Sequence, residues 1–176
     1  MIQALVQNIS IWDTSITIRI FQWKKRRPLD LIMLAASYLG DGYFYGVIGV
    51  LMFIFRPDNA TSALIAGILA FAIEIPLFIL LKKKTRRDRP FIKIPEIANR
   101  IKPPDKFSFP SGHTASAFLM ATVFGSVYPF LMIPAFLLAA LIGFSRIYNG
   151  VHYTSDVIAG IFLGVTCAEL SLFMVF

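Results

Sequence analysis

Between two long apolar runs the chain reads Ser145-Arg146-Ile147-Tyr148-Asn149-Gly150-Val151-His152-Tyr153-Thr154-Ser155-Asp156, so that a fixed cation, an imidazole and a carboxylate fall in one short stretch. A helix starting near His152 carries Asp156 four residues on, on the same face. From there the carboxylate can accept the imidazole Nδ1–H and leave Nε2 free as a base or nucleophile. Ionisable groups at the edge of a membrane span are costly and mark function. The combination points to chemistry on an anionic substrate.

Two upstream segments extend the pattern. Pro110-Ser111-Gly112-His113 stands directly before an apolar run. Ser111 is a natural N-cap and Gly112 allows close backbone approach, which makes a helix-start anion site carrying a second imidazole. Further upstream, Lys82 and Arg89-Pro90 bracket a basic run. Being seven apart, Lys82 and Arg89 share a helix face or converge from a helix end and a loop. The chain has two histidines, and both fall in these segments.

In order and spacing, these three segments resemble the signature motifs of the type 2 phosphatidic acid phosphatase superfamily. That family includes lipid phosphate phosphatases, undecaprenyl pyrophosphate phosphatases, lipid A phosphatases and vanadium haloperoxidases. The resemblance runs from about Lys82 to the C-terminus. It implies that neutral His152 attacks phosphorus through Nε2 while Asp156 stabilises the developing imidazolium. His113 then protonates the leaving oxygen and later acts as base for water. Lys82, Arg89 and Arg146 supply fixed positive charge, and Ser111 and the Gly112 N–H supply hydrogen bonds to the phosphoryl oxygens. The implied substrate is a lipid phosphate in a membrane; no nucleic acid, metal or other cofactor is called for. Candidates are phosphatidylglycerol phosphate, phosphatidic acid, undecaprenyl pyrophosphate and phosphorylated lipid A.

Other readings of the same residues exist. His113, His152 and Asp156 could form a two-His-one-carboxylate metal site, against which the surrounding cations argue by repulsion. A phosphotransferase would pass the same phosphohistidine to a lipid acceptor. A non-enzymatic anionic-lipid-binding or transport protein would use the cations but has no need of His113 together with the His152/Asp156 pair.

Composition places these segments in a membrane. The chain has 176 residues, 57% of them hydrophobic, with a mean hydropathy of +0.70. These values exceed the soluble range and fit one all-α integral membrane domain over 1–176. In the N-terminal region, 1–39, Ile2, Leu5, Ile9, Trp12, Ile16, Ile20 and Trp23 recur at three- and four-residue intervals. That period predicts an amphipathic helix, lying at the interface or packed on the bundle. No cleavable signal peptide is apparent in it. Residues 40–176 form the bundle that bears the site, with five expected spans at 40–55, 63–81, 111–127, 130–144 and 156–176. The polar stretch 91–109 contains Pro95, Pro103 and Pro104, which exclude a continuous helix. Cys167, the single cysteine, reads as a packing residue.

Five spans bring residues 82–110, the start of the third span and the turn at 145–156 to one membrane face. All but Arg56 of the 17 Lys and Arg lie on that face. The surplus cations, Lys83, Lys84, Arg86 and Arg87 together with Lys24-Lys25-Arg26-Arg27, read as topology signals or headgroup contacts. Read literally, the charge rule sets this face in the cytoplasm, whereas the resemblance sets the site on the extracytoplasmic face of a bacterial inner membrane. The expectation is the latter. Glu74 and Glu169 are carboxylates within spans that match no motif; Glu74 would line the substrate cavity or make a buried hydrogen bond.

Overall fold

The structure, a computed structural model, describes residues 2–23, 27–55 and 58–176, and of residues 2–9 the backbone alone. Among the described residues eight α-helices follow one another: α1 (Ile2–Phe21), α2 (Arg27–Leu39), α3 (Tyr43–Phe55), α4 (Ala60–Thr85), α5 (Pro90–Lys93), α6 (Gly112–Val127), α7 (Met132–Tyr148) and α8 (Thr154–Val175). A 3₁₀ turn at Pro129–Leu131 precedes α7. Among the described residues no strand forms, as expected of a chain whose backbone must satisfy its own hydrogen bonds in lipid.

Three segments, Ala60–Lys93, Pro129–Tyr148 and Thr154–Val175, are long and apolar enough to cross a membrane. The helices α2 and α3 form a broken pair bent by 59° around Gly40-Asp41-Gly42, and they make one further crossing if counted together. The expected span at 40–55 is therefore a 13-residue helix that packs on α4. Apolar side chains point outward as well as inward: Ile133, Leu137, Phe162 and Phe173 are all exposed. That pattern suits lipid as the surrounding medium.

At the centre, α6 packs against α4, α7 and α8. Its closest neighbour is α8, and glycine explains how. A Cβ on Gly164 would lie 2.1 Å from the Ala115 carbonyl oxygen, and one on Gly160 would lie 2.6 Å from that of Ser111. Two glycines four residues apart on α8 thus open a groove for the α6 backbone, the small-residue mode of helix contact in membranes. Above this crossing, Ala66 and Ala70 of α4 meet Leu119, Val123, Cys167 and Ala168. Glu74 is buried on α4 and does not line the apolar cavity described below; Glu169 is exposed.

The N-terminal helix forms as its period predicts but turns a different stripe inward. Asp13, Thr17 and Phe21 are buried, Phe21 among Ile94, Ile97 and Tyr153, while Trp12 and Trp23 remain exposed. Polar partners on the bundle, described below, override the apolar period for this face. The side chains of Ile2, Leu5 and Ile9 lie outside the described residues, as do Lys24–Arg26 of the basic run and Arg56. The helix α2 is fastened to α7 by polar contacts: Tyr148 Oη donates to Asp30 Oδ1 at 2.8 Å, Asn149 Nδ2 to the Met33 carbonyl at 3.2 Å, and Arg146 to the Ser37 hydroxyl.

Substituting Gly164→Leu should separate α6 from α8, because a side chain there collides with backbone. Overpacking of this kind costs about 1–3 kcal/mol or more. Thermal unfolding in detergent should show a lowered midpoint, whereas Gly46→Leu, where a Cβ meets open space, should change it little.

Candidate active site

Lys82 lies in the last turn of α4, and Arg86 then turns the chain out of the helix in the left-handed region, with φ 46° and its N–H bonded to the Lys82 carbonyl. Arg89 follows as the residue before Pro90, which opens α5. The two cations thus converge from a helix end and the segment beyond it, the second of the two arrangements the spacing allows. They meet on Asp105, from the proline-containing stretch: Lys82 Nζ donates to Oδ2 at 2.6 Å and Arg89 Nη2 to Oδ1 at 2.9 Å. Burial alone would raise the Asp105 pKa. The hydrogen bond and charge of Lys82, joined by those of Arg89, outweigh that and hold it below the usual carboxylate range.

The same stretch is anchored by Arg100, which donates to Asp30 Oδ1 at 3.1 Å and covers the Tyr148 ring at 4.4 Å. It passes so close to the α7–α8 turn that a Cβ on Gly150 would lie 2.8 Å from the Ala98 carbonyl oxygen. Gly150 also has φ +74°. Both its conformation and its surroundings exclude a side chain.

His152 stands in that turn, ahead of α8 and not on it, because the helix begins at Thr154. Its neighbour Asp156 occupies the first turn, where Oδ2 accepts the Tyr153 N–H at 2.9 Å. The approach of His152 to Asp156 therefore comes from a helix entry, in place of the shared helical face expected from spacing. Nδ1 lies 3.5 Å from Asp156 Oδ2, an approach that does not close into a hydrogen bond. On the other side of the ring, Arg89 Nη1 is 3.2 Å from Nε2. A guanidinium can only donate, so Nε2 carries the lone pair and Nδ1 the proton. Burial, and then the charges of Arg89, Arg146 and Lys82, hold the His152 pKa well below its ordinary value. The imidazole is neutral.

His113, in the first turn of α6, directs Nε2 to Asp41 Oδ1 at 2.6 Å. Gly40 makes room for it, since a Cβ there would lie 3.0 Å from His113 Cδ2. Ser111 is the N-cap residue of α6, but its side chain does not cap the helix. Its hydroxyl instead accepts from Thr114 Oγ1 at 2.8 Å, and its N–H donates to the Asp156 carbonyl at 3.0 Å. Gly112 passes close to Phe78: a Cβ would lie 3.0 Å from the ring. Arg146 is buried and directed at Ser37, with Nε unpaired. Of the buried cations among the described residues, it alone has no carboxylate ion pair.

All eight residues singled out in the sequence thus sit at one end of the bundle. Arg87, read as a surplus cation, is not one: it is ion-paired with Asp13 at 2.6 Å and with Asp156 at 2.7 Å. Asp13, Asp41 and Asp105 were missed. Each is a single acid in an otherwise unremarkable stretch, and the one available signal was a carboxylate in the apolar helix α1. Among the described residues, no group of three His, Cys, Asp or Glu is disposed to hold a metal ion; His113 and His152 face separate partners.

Cavities open beside this cluster. A polar one of about 210 Å³ is lined by Ser37, Tyr38, Asp41, Lys102, His113 and Arg146 among others. An apolar one of about 820 Å³ lies between α3, α4 and α6, starting at Gly42.

Comparison with known proteins gives consistent matches. The family model of the PAP2 superfamily matches residues 60–176. A decaprenylphosphoryl-5-phosphoribose phosphatase from Mycobacterium tuberculosis is 37% identical over 128 residues, covering 70% of this chain and 67% of the relative. Among solved structures, Aquifex aeolicus LpxE superposes with a TM-score of 0.81 at 34% identity, over 90% of this chain and 93% of that one. A transmembrane PAP2-type phosphatidylglycerolphosphate phosphatase from Bacillus subtilis superposes with a TM-score of 0.76 at 25% identity, over 95% and 86%.

The neutral state of His152 has a consequence for stability. An unfolded imidazole takes a proton near pH 6.5, while folded His152 does so only at lower pH. The unfolded state therefore binds more protons below pH 6.5, and stability falls as pH falls. Between pH 7.5 and 5.5 the loss from this group should be roughly 1.4 kcal/mol. Thermal unfolding in detergent at the two pH values should show a drop in wild type that shrinks in His152→Asn.

Proposed function

Because this chain belongs to the PAP2 superfamily, we propose that it is an integral membrane lipid phosphatase. It hydrolyses a phosphomonoester or pyrophosphate headgroup through a phosphohistidine on His152, without a metal ion. The observation that carries this reading is the environment of the buried His152 ring. Its Nε2 lone pair faces Arg89, its Nδ1 faces Asp156, and Arg146, the one buried cation without a carboxylate partner among the described residues, borders the adjoining polar cavity.

The chemistry follows from these positions. A phosphate entering beside Arg89 and Arg146 places phosphorus before Nε2. Lys82 and Arg89, freed from Asp105 by the incoming dianion, neutralise the equatorial oxygens as charge builds. Asp156 stabilises the imidazolium as the N–P bond forms. His113, oriented by Asp41, takes up a proton as the dianion offsets the charge of Arg146, gives it to the leaving oxygen and then takes one from the water that cleaves the N–P bond, releasing inorganic phosphate.

The setting selects the substrate class. The polar cavity takes a headgroup phosphate, and the apolar cavity beginning at Gly42, next to Asp41, takes an acyl or prenyl tail. The relatives named above act on different lipid phosphates, and the residues around the phosphate would serve any of them. We place the protein in a bacterial inner membrane with the site on the extracytoplasmic face. Several of the cations that weigh against this orientation belong to the site itself and carry no weight as topology signals.

Purified protein should release inorganic phosphate from at least one of phosphatidic acid, phosphatidylglycerol phosphate, undecaprenyl pyrophosphate and phosphorylated lipid A, with equal rates with and without chelator. Loss with chelator and return with a divalent ion would instead favour a metal site. Arg89→Ala and Arg146→Ala should each lower kcat by roughly two to three decades, the cost of a transition-state contact, against a small effect in exposed Lys83→Ala. Since α8 runs from the site to the opposite face, a reporter that fluoresces only in the cytoplasm, fused after Phe176, should be bright. A dark one would set the site in the cytoplasm.

A further inference from the structure

The helix α1 lies outside the residues matched by the family model, which begin at residue 60, yet it sends a fully buried carboxylate into the site. Asp13 is 0% exposed. Its Oδ2 accepts from Arg87 Nη2 at 2.6 Å, and its Oδ1 accepts the Ser155 N–H at 2.9 Å; the Ser155 hydroxyl donates to it as well. Arg87 uses its other arm on Asp156 Oδ1 at 2.7 Å and on Ser155 Oγ at 2.6 Å, while its guanidinium lies 3.9 Å over the Tyr153 ring. A carboxylate, a guanidinium and a second carboxylate thus form one chain that ends at the Nδ1 side of His152.

Resting on the phosphatase reading above, we propose that Asp13 and Arg87 are positioning residues for the His152–Asp156 pair, with the N-terminal helix supplying the part that the motif-bearing segment lacks. Both Asp156 oxygens are committed, Oδ1 to Arg87 and Oδ2 to the Tyr153 N–H, so the plane of the carboxylate is set before substrate arrives. Arg87 can fix that plane because its own is fixed at three points: Asp13, Ser155 and the Tyr153 ring. Asp13 also offsets its charge. An uncompensated guanidinium on Asp156 would oppose the imidazolium that Asp156 must stabilise; paired with Asp13, it orients the carboxylate without that opposition.

This role predicts an effect on the chemical step and little on binding. With dioctanoyl phosphatidic acid as substrate, Asp13→Asn should lower kcat at least tenfold while leaving KM within about twofold, as expected when a reacting group is misplaced by a fraction of an ångström. Arg87→Gln should do the same. Because the two act through one another, the double variant should be no slower than the slower single one. Thr17→Val, which alters the packing of α1 one turn further on but leaves the ion pair, should keep the wild-type kcat. Asp13→Asn is isosteric, so it carries the test even where Asp13→Ala fails to fold. Unchanged kcat in Asp13→Asn, losses that multiply in the double variant, or an equal loss in Thr17→Val would overturn the proposal and leave the phosphatase reading standing. A wild-type protein inert toward every lipid phosphate of the panel would remove both.

Discussion

Four cations, Lys82, Arg87, Arg89 and Arg146, are gathered at the ends of apolar helices, where an unpaired charge costs several kcal/mol. Carboxylates from distant parts of the chain answer three of them. Asp105 closes on Lys82 and Arg89, and Asp13 joins Asp156 on Arg87. Arg146 has the Ser37 hydroxyl and an unpaired Nε. Three carboxylates thus stand against four cations, while Asp41 is engaged by His113, next to an imidazole that burial and the remaining charge keep neutral. A phosphate dianion meets both needs: it balances the cations and, by doing so, lets His152 become positive as it bonds to phosphorus.

Packing makes that concentration of charge sustainable. Gly160 and Gly164 bring the α6 backbone onto α8, which sets the start of α6, and so His113, beside the entry of α8. The Ser111 N–H bonds the Asp156 carbonyl at the crossing itself, tying the two motif segments by backbone. Gly112 lets the same helix start pass the Phe78 ring, and Gly150 lets the stretch bearing Asp105 run against the His152 turn. In each case a missing side chain decides how close two charged segments come. These glycines sit in helix contacts, at a helix start and in one tight turn.

Much of this was readable in the sequence, and the parts that were not share a cause. His113, His152, Asp156, Lys82, Arg89 and Arg146 stand out because the chemistry needs those types at short spacings beside apolar runs. Asp13, Asp41 and Asp105 act across long separations, and a single acid carries no pattern that names its partner. Arg87 was misread for the same reason: within a run of six cations nothing local distinguishes the one that finds two buried carboxylates. Ser111 looked like a helix cap from its position alone, yet its hydroxyl turns to Thr114. The N-terminal helix was expected to follow its apolar period, but the stripe it buries is the one carrying Asp13, because Arg87, already held by Asp156, takes Asp13 as a second partner and leaving either charge buried and unpaired is costly. Helix lengths were the least legible: the bend at Gly40-Asp41-Gly42 parts α2 from α3, two 13-residue helices each too short to cross alone.

The central claim is that His152 takes the phosphoryl group. Purified protein mixed with radiolabelled phosphatidic acid and quenched within the first turnover should carry acid-labile, base-stable label, mapped by mass spectrometry to the peptide containing His152. The label should be absent from His152→Ala and should accumulate in His113→Ala with a good leaving group. Normal turnover by His152→Ala, or label resident on any other side chain, would contradict it.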